Sequence, residues 1–479
     1  MSPIKAPKNY TIKPYHGILV VYFVLALGTL FAWRAVGVNG VIGDEPHYLV
    51  MASGWARHGV LEQTLPYLDE FQNQEIYPGG WVPRDAVPTP EITHALQGPR
   101  GLYNIHNIGL PLLLSAPFGM SGVLGARLFM ILLGSFAVAV SWRLIGYFTR
   151  NPDVQFLCAA SLCWALPLVP AANQIYPDLL AGTILLYCLP HVMWTELRPG
   201  LRQTIWMALL LSFLPWLQVK YALPALIVMA ALVVQSLQRE QVVKRVIAII
   251  GIATVCAVPL ALYNNHAFGK FTGPYNGLGF EINRTSLMVF HGLFIDQNQG
   301  FLMQNPIHWV GVAAVGMQLA RHPKRTLLWA VVFLSLLLPN AMHPNWYGGQ
   351  SFSGRFGWAA TLVFWIPTLA GLTALAENQR HVFKGIISAS LLLQATWLML
   401  IMTDAVELYN RSVHTHLSYY SMLNAPIHAI LPALYNVTWA YRYPPNWVWA
   451  FILLGVFACG FRWAVAHPAK TIDLKNHPA

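Results

Sequence analysis

The sequence predicts an all-α polytopic membrane protein of about twelve transmembrane helices (eleven to thirteen), and three observations predict it. Hydrophobic residues make up 56% of the 479 residues and charged residues only 10%, against ~25% charged in a typical soluble domain. Apolar runs close to the ~20 residues that cross a bilayer recur along the whole chain. The basic residues lie in short groups between those runs, which is the positive-inside pattern. The net charge of +11 would suggest nucleic-acid binding on a soluble surface. Here it marks membrane orientation, and no nucleic-acid partner is expected.

Spans are expected near 16–36, 122–146, 154–171, 178–195, 204–219, 221–236, 245–263, 306–320, 326–340, 357–376, 383–403 and 446–465. The apolar segment 107–120 is broken by Pro111 and Pro117, so a half-inserted or interfacial helix is expected there. The first apolar run has full span length, which argues against a cleavable signal. Lys5, Lys8 and Lys13 precede it and place the N-terminus in the cytoplasm. Alternation then puts 18 of the 29 Lys and Arg residues on the inside with only five of the 18 acids. That split predicts an even number of spans with both termini cytoplasmic.

The inner loops are short and three outer connections are long: 37–121, 264–305 and 404–445. One transmembrane domain over 1–479 is expected, without a separate soluble C-terminal domain, and its chemistry is expected in the outer loops. No GxxxxGK[ST] or GxGxxG motif occurs, so nucleotide-driven transport has no support. The five cysteines lie in apolar stretches without a CxxC pair, as expected of small buried hydrophobes.

The first outer connection opens with Gly43-Asp44-Glu45-Pro46-His47-Tyr48 and holds eight of the 18 acids. Most are expected to form a solvated face. Asp44 and Glu45 lie within a turn of a span, where an ionised carboxylate is costly. Pro46 suits the first turn of a helix, so one acid could be a plain N-cap worth about 1 kcal/mol. Two adjacent carboxylates beside His47 also suit a general base or a cation site. The helix is expected to run through Tyr48 to His58 as an amphipathic element on the membrane surface. From Tyr77 to Pro99, prolines and glycines predict an irregular cap.

Other outer residues carry weaker signals. Asp178 follows Tyr176-Pro177 at a turn, where it either caps a span or forms a polar floor. Lys220 sits between two spans with almost no loop, and either snorkels to the interface or meets a lipid phosphate. The run from Asn340 to Arg355 combines His343, Trp346, Tyr347, Gln350 and several glycines with Arg355. Its glycines expose backbone N–H groups, and its guanidinium is a planar fork suited to phosphate. An aromatic-belt loop with a snorkelling Arg is the alternative. The 17 histidines show no HExxH spacing, with His414 and His416 the one HxH pair. A divalent metal is therefore not supported by the spacing.

A long first outer loop that opens on an acidic pair directly after span one resembles the GT-C superfamily of membrane glycosyltransferases. Asp44-Glu45-Pro46-His47-Tyr48 is similar to the acidic motif of its protein-mannosyltransferase and aminoarabinose-transferase branch. The resemblance rests on this loop and, elsewhere, on architecture alone. It implies a GT-C-like fold and an inverting transfer of sugar, hexosyl or pentosyl, from a polyprenyl phosphate to an acceptor hydroxyl on a glycan, lipid or protein. It places the site on the periplasmic face of a bacterial inner membrane. Asp44 would be the general base with Glu45 beside it. Lys220 and Arg355 would hold the donor phosphate, and His47, Tyr48, Tyr176, Asp178, His343, Trp346, Tyr347 and Gln350 would line the sugar or acceptor. A lipid-linked sugar flippase or secondary transporter is the main alternative, although transporters place ionisable groups at mid-membrane. An O-antigen-ligase-like transferase using a diphosphate-linked glycan is the second.

Overall fold

A computed structural model of the chain describes residues 12–35, 41–197, 199–274, 282–343, 346–348, 351–404, 420, 426–437 and 439–467. Gln350, His414 and His416 lie outside the described residues, and for Trp346 only the backbone is described.

Every expected span folds as helix, though not all at full length. Helix α1 is Ile12–Ala35. The first connection then carries α2 (Glu45–Ser53), α3 (Thr64–Asn73) and a hairpin of β1 (Ala95–Gly98) and β2 (Gly101–Asn104). Next come α4 (Gly109–Phe148), α5 (Pro152–Cys163), α6 (Leu168–Ala171), α7 (Asp178–Met193), α8 (Leu201–Leu217), α9 (Ala222–Leu237) and α10 (Val242–Phe268). The rest is α11 (Arg284–Ile295), α12 (Phe301–Gln304), α13 (His308–Arg321), α14 (Pro323–Ala341), α15 (Trp358–Asn378), α16 (Arg380–Asp404) and α17 (Pro444–Ala466).

Among the described residues, eight helices are long and apolar enough to cross a membrane, and Asp178–Met193 and Leu201–Leu217 are shorter apolar helices. The expected spans at 154–171 and 306–320 are shorter still. The first stops at Cys163 because Pro167 interrupts the pattern, leaving α6 as a separate turn. Helices α5 and α7 are buried on nearly all sides, whereas α10 buries only Ile249 and Ala267. The apolar surface of α10 is a face that a bilayer would cover.

The segment 107–120 is the first part of α4. Ser121 and Gly122 leave helical geometry, with Gly122 at φ +57°, and a second helical run continues to Phe148. A Cβ on Gly125 would strike the Pro117 carbonyl, so the fold-back needs a glycine there.

The start of the first connection differs from the surface helix that the pattern suggested. Eight of the nine residues of α2 are buried, and the helix packs on α4. Exposure begins only after Ser53, in a π-helical turn over Gly54–His58. A Cβ on Gly54 would meet Pro66 of α3, so α3 covers α2 closely. The hairpin was not anticipated. Its register pairs Ala95 with Asn104 and Gly98 with Gly101, and Gly98 lies so near the Ala267 carbonyl that no side chain fits. The hairpin is thereby seated against the end of α10.

Candidate active site

Four connections converge at the end of the bundle that carries the long loops. The turn before α2 brings Asp44 and the N-terminus of α7 brings Asp178. The 3-10 turn Val219–Tyr221 brings Lys220, and the 3-10 turn Arg355–Gly357 brings Arg355.

Gly43, at φ +62°, turns the chain into α2. Asp44 occupies the N-cap position but makes no side-chain cap bond. Its Oδ2 instead accepts from Arg355 Nη2 at 2.7 Å. Arg355 is held from several sides. Gly354, at φ +79°, donates its N–H to Gln299 at 2.7 Å. The Gly348 carbonyl accepts from Arg355 Nη1 at 3.4 Å, and the Tyr176 ring lies 3.6 Å beneath the guanidinium carbon. Arg355 Nε is 3.9 Å from Asp178 Oδ2. Asp178 Oδ1 accepts from Lys220 Nζ at 2.9 Å and from the Tyr221 hydroxyl at 2.7 Å. Lys220 also reaches Asn340 Oδ1 at 3.4 Å.

The result is an alternating chain, Asp44–Arg355–Asp178–Lys220, drawn from four segments. Arg355 and Asp178 are 3% and 1% exposed, while Asp44 is 23% exposed. Asp44 is therefore the end that solvent reaches. Burial pushes its carboxyl upward, but the Arg355 guanidinium and then His106 hold it well below the usual carboxylate range.

Glu45 is built differently. It is fully buried, and its oxygens accept the N–H groups of Ile42 at 2.9 Å and Ile175 at 2.7 Å. Expected beside Asp44 in the chemistry, it ties the first connection to the turn before α7. Burial raises its pKa, with Arg127 the largest opposing influence.

A ring of aromatic and imidazole groups surrounds Asp44. His47 Nδ1 bonds the Tyr67 hydroxyl at 2.7 Å, and Asn104 donates to the same hydroxyl at 3.1 Å. Tyr48 is fully buried, stacked on His106 with centroids 4.7 Å apart. His94 Nδ1 and His106 Nε2 face Asp44 Oδ1 at 3.9 and 3.8 Å. Burial and then His94 hold His47 down to about 3, and burial holds His106 down to about 4 despite the Asp44 charge.

Of the other expected residues, Tyr176 lies under Arg355 and its hydroxyl donates to the Ile42 carbonyl at 2.9 Å. His343 is exposed, edge-on to Phe356. Tyr347 turns inward, its ring stacked on Tyr435 and its hydroxyl donating to the Leu434 carbonyl at 3.1 Å.

No family model matches the chain, and no curated protein matches it. Among solved structures the chain is similar to ArnT from Cupriavidus metallidurans bound to undecaprenyl phosphate. That match covers 96% of this chain and 78% of the other, at 14% identity and a TM-score of 0.45. The likeness is one of chain layout and assigns no residue.

His94 and His106 are the site residues that sequence reasoning missed. A signal exists: Gly98-Pro99-Arg100-Gly101 is a turn sequence, and folding the chain about it sets His94 opposite Ile105, the neighbour of His106.

Proposed function

We propose that the protein is a membrane glycosyltransferase that moves a sugar from a polyprenyl phosphate to an acceptor hydroxyl, with inversion, on the periplasmic face. The observation that carries this reading is the Asp44–Arg355–Asp178–Lys220 chain at the ends of apolar helices. Two cations and two anions neutralise each other there, as buried charges require. The cluster sits at helix termini, where a lipid headgroup lies, and not at mid-span, where a transporter places its ionisable groups.

The donor phosphate competes with the carboxylates for Arg355 and Lys220. Asp178, almost wholly buried, keeps both cations aimed at one place. Asp44 faces solvent and is the group an acceptor meets. When the phosphate draws on Arg355, the influence that suppresses Asp44 basicity weakens, so donor binding readies the base. The acceptor oxygen then attacks the anomeric carbon as the carbon–oxygen bond to phosphate breaks. The hydroxyl proton passes to Asp44, and the departing phosphate carries its charge onto Arg355 and Lys220. Glu45 acts as a positioning residue that fixes the Asp44 turn against the turn before α7.

The test uses purified protein in liposomes with a panel of labelled polyprenyl-phosphate sugars. Label should leave the lipid with wild type and stay on it with Asp44→Asn, while lipid binding persists. If the lipid only crosses the bilayer and Asp44→Asn makes no difference, the protein is a flippase and the transferase reading falls.

A further inference from the structure

Pairing in the hairpin extends one step beyond its strands, since Ile105 donates its N–H to the His94 carbonyl at 3.0 Å. His94 and His106 therefore leave the open end of the hairpin side by side, with ring centroids 5.4 Å apart. Both present a ring nitrogen to Asp44 Oδ1, and one ligand atom from each of the three residues lies within 4.8 Å of the others.

Separations of 3.8 and 3.9 Å are too long for hydrogen bonds. Among the described residues His106 Nε2 has no hydrogen-bond partner, although its residue is only 8% exposed. A buried polar atom aimed at a carboxylate without bonding it is destabilising, so the gap calls for a third body. Tetrahedral zinc, with bonds of about 2.0–2.1 Å, sets its ligand atoms about 3.3 Å apart. A movement of roughly half an ångström would draw all three donors onto one ion.

We propose that Asp44, His94 and His106 form a binding site for a divalent transition-metal ion of the zinc class. Two imidazoles and one carboxylate favour such an ion over magnesium or calcium, which take oxygen ligands. Three protein ligands leave a fourth position open, as in zinc sites that bind a further molecule. The surroundings fix the ligands. Arg355 holds the other Asp44 oxygen at 2.7 Å, Tyr48 stacks on His106, and the His47 ring lies 4.4 Å from that of His94. Such neighbours orient ligands toward a metal. The proposal does not depend on the transferase reading.

The full-length, untagged chain in detergent, stripped with chelator, is titrated with zinc, and bound metal is counted by mass spectrometry. About one zinc per chain is expected, and His94→Ala and His106→Ala should each weaken binding at least about tenfold. His94 is exposed, so His94→Ala should fold even if His106→Ala does not. Cobalt supplies a signature: His94→Cys should give a thiolate-to-cobalt absorption band that wild type lacks. The proposal is overturned if wild type retains less than about a tenth of a metal per chain, or if His94→Ala binds zinc as wild type does. Displacement of the zinc by a modest excess of magnesium would overturn it equally. Metal is counted apart from sugar transfer, so a protein that binds no zinc but transfers sugar removes the metal site alone, and one that binds zinc but transfers no sugar removes the transferase reading alone.

Discussion

Asp44 and Asp296 are carboxylates at the loop-bearing end of the same bundle, and they are satisfied in opposite ways. Asp296, 1% exposed, accepts four backbone N–H groups: Asn298 and Gln299 at 2.8 Å each, Leu434 at 2.7 Å and Tyr435 at 3.1 Å. Those bonds knot the connection before α12 to the one before α17. Among the described residues Asp44 is held by side chains alone, and its Oδ1 faces imidazoles beyond bonding distance. Backbone donors cannot move aside for a substrate, whereas a guanidinium can exchange one anion for another. By this criterion Glu45 belongs with Asp296 although it is next to Asp44 in sequence.

The largest effect is expected at Arg355, which joins both site carboxylates. Arg355→Ala leaves Asp44 and Asp178 without their shared cation, and breaking a buried pair costs about 3–5 kcal/mol. Thermal unfolding in detergent should show that loss, with sugar transfer below detection. Arg355→Lys keeps the charge but not the planar fork. It should fold at near wild-type stability and transfer sugar about a hundredfold more slowly. Equal damage from both variants would mean that guanidinium packing on Tyr176, and not charge, is what matters.

The comparison itself is broken or sharpened by two Asp→Asn changes. Asp296→Asn turns an amide N–H toward backbone donors, and each donor left unpaired costs roughly 1–3 kcal/mol. Its melting temperature should fall by several degrees while activity per folded molecule holds. Asp44→Asn should differ in activity, losing about 10²–10⁴-fold in transfer per folded molecule, while the loss of its charge beside Arg355 lowers the melting temperature as well. Glu45→Gln should follow Asp296. If it instead follows Asp44, two adjacent acids share the chemistry and the backbone criterion fails.

How far the sequence revealed this depended on what each feature requires. The helices were legible because spans need long apolar runs, and the run at 154–171 falls short where Pro167 cuts it. Asp44, Asp178, Lys220 and Arg355 stood out as charges beside apolar segments. Their union was not legible, because Arg355 and Asp44 are 311 residues apart and only packing brings them together. The Glu45 bond to the Ile175 N–H left no trace, since a backbone donor has no residue type. His94 and His106 left no local spacing signal such as HxH or HExxH, because a hairpin and not a short motif brings them together.

A smaller effect is expected from pH. His47 and His106 are held down to about 3 and about 4 in the fold, against 6.5 when unfolded. Between those values the unfolded chain binds more protons, so stability is full above about pH 6.5 and falls as the pH drops toward 4. The depressed Asp44 carboxyl adds loss of the same sign at lower pH still. Melting temperature measured in chelator from pH 7.5 to 4.5 should decline, and His47→Gln should flatten the decline. A flat wild-type profile would show that these imidazoles are not buried as described.

The smallest effect is expected at Arg57, and it isolates what burial contributes. Like Arg355, Arg57 faces two carboxylates, Asp69 and Glu75, and lies near an aromatic ring, that of Phe118. By contact inventory the two arginines are alike. Arg57 is 36% exposed and Glu75 40%, however, so water and salt screen the pairs and leave about 0–1 kcal/mol. Arg57→Ala should therefore shift the melting temperature by no more than a degree or two, less in high salt, and leave transfer unchanged. A large loss at Arg57 would mean that this outer turn is closed off from solvent. Burial would then no longer separate the charge cluster at Arg355 from ordinary surface pairing, and the case for a specialised site there would rest on its chemistry alone.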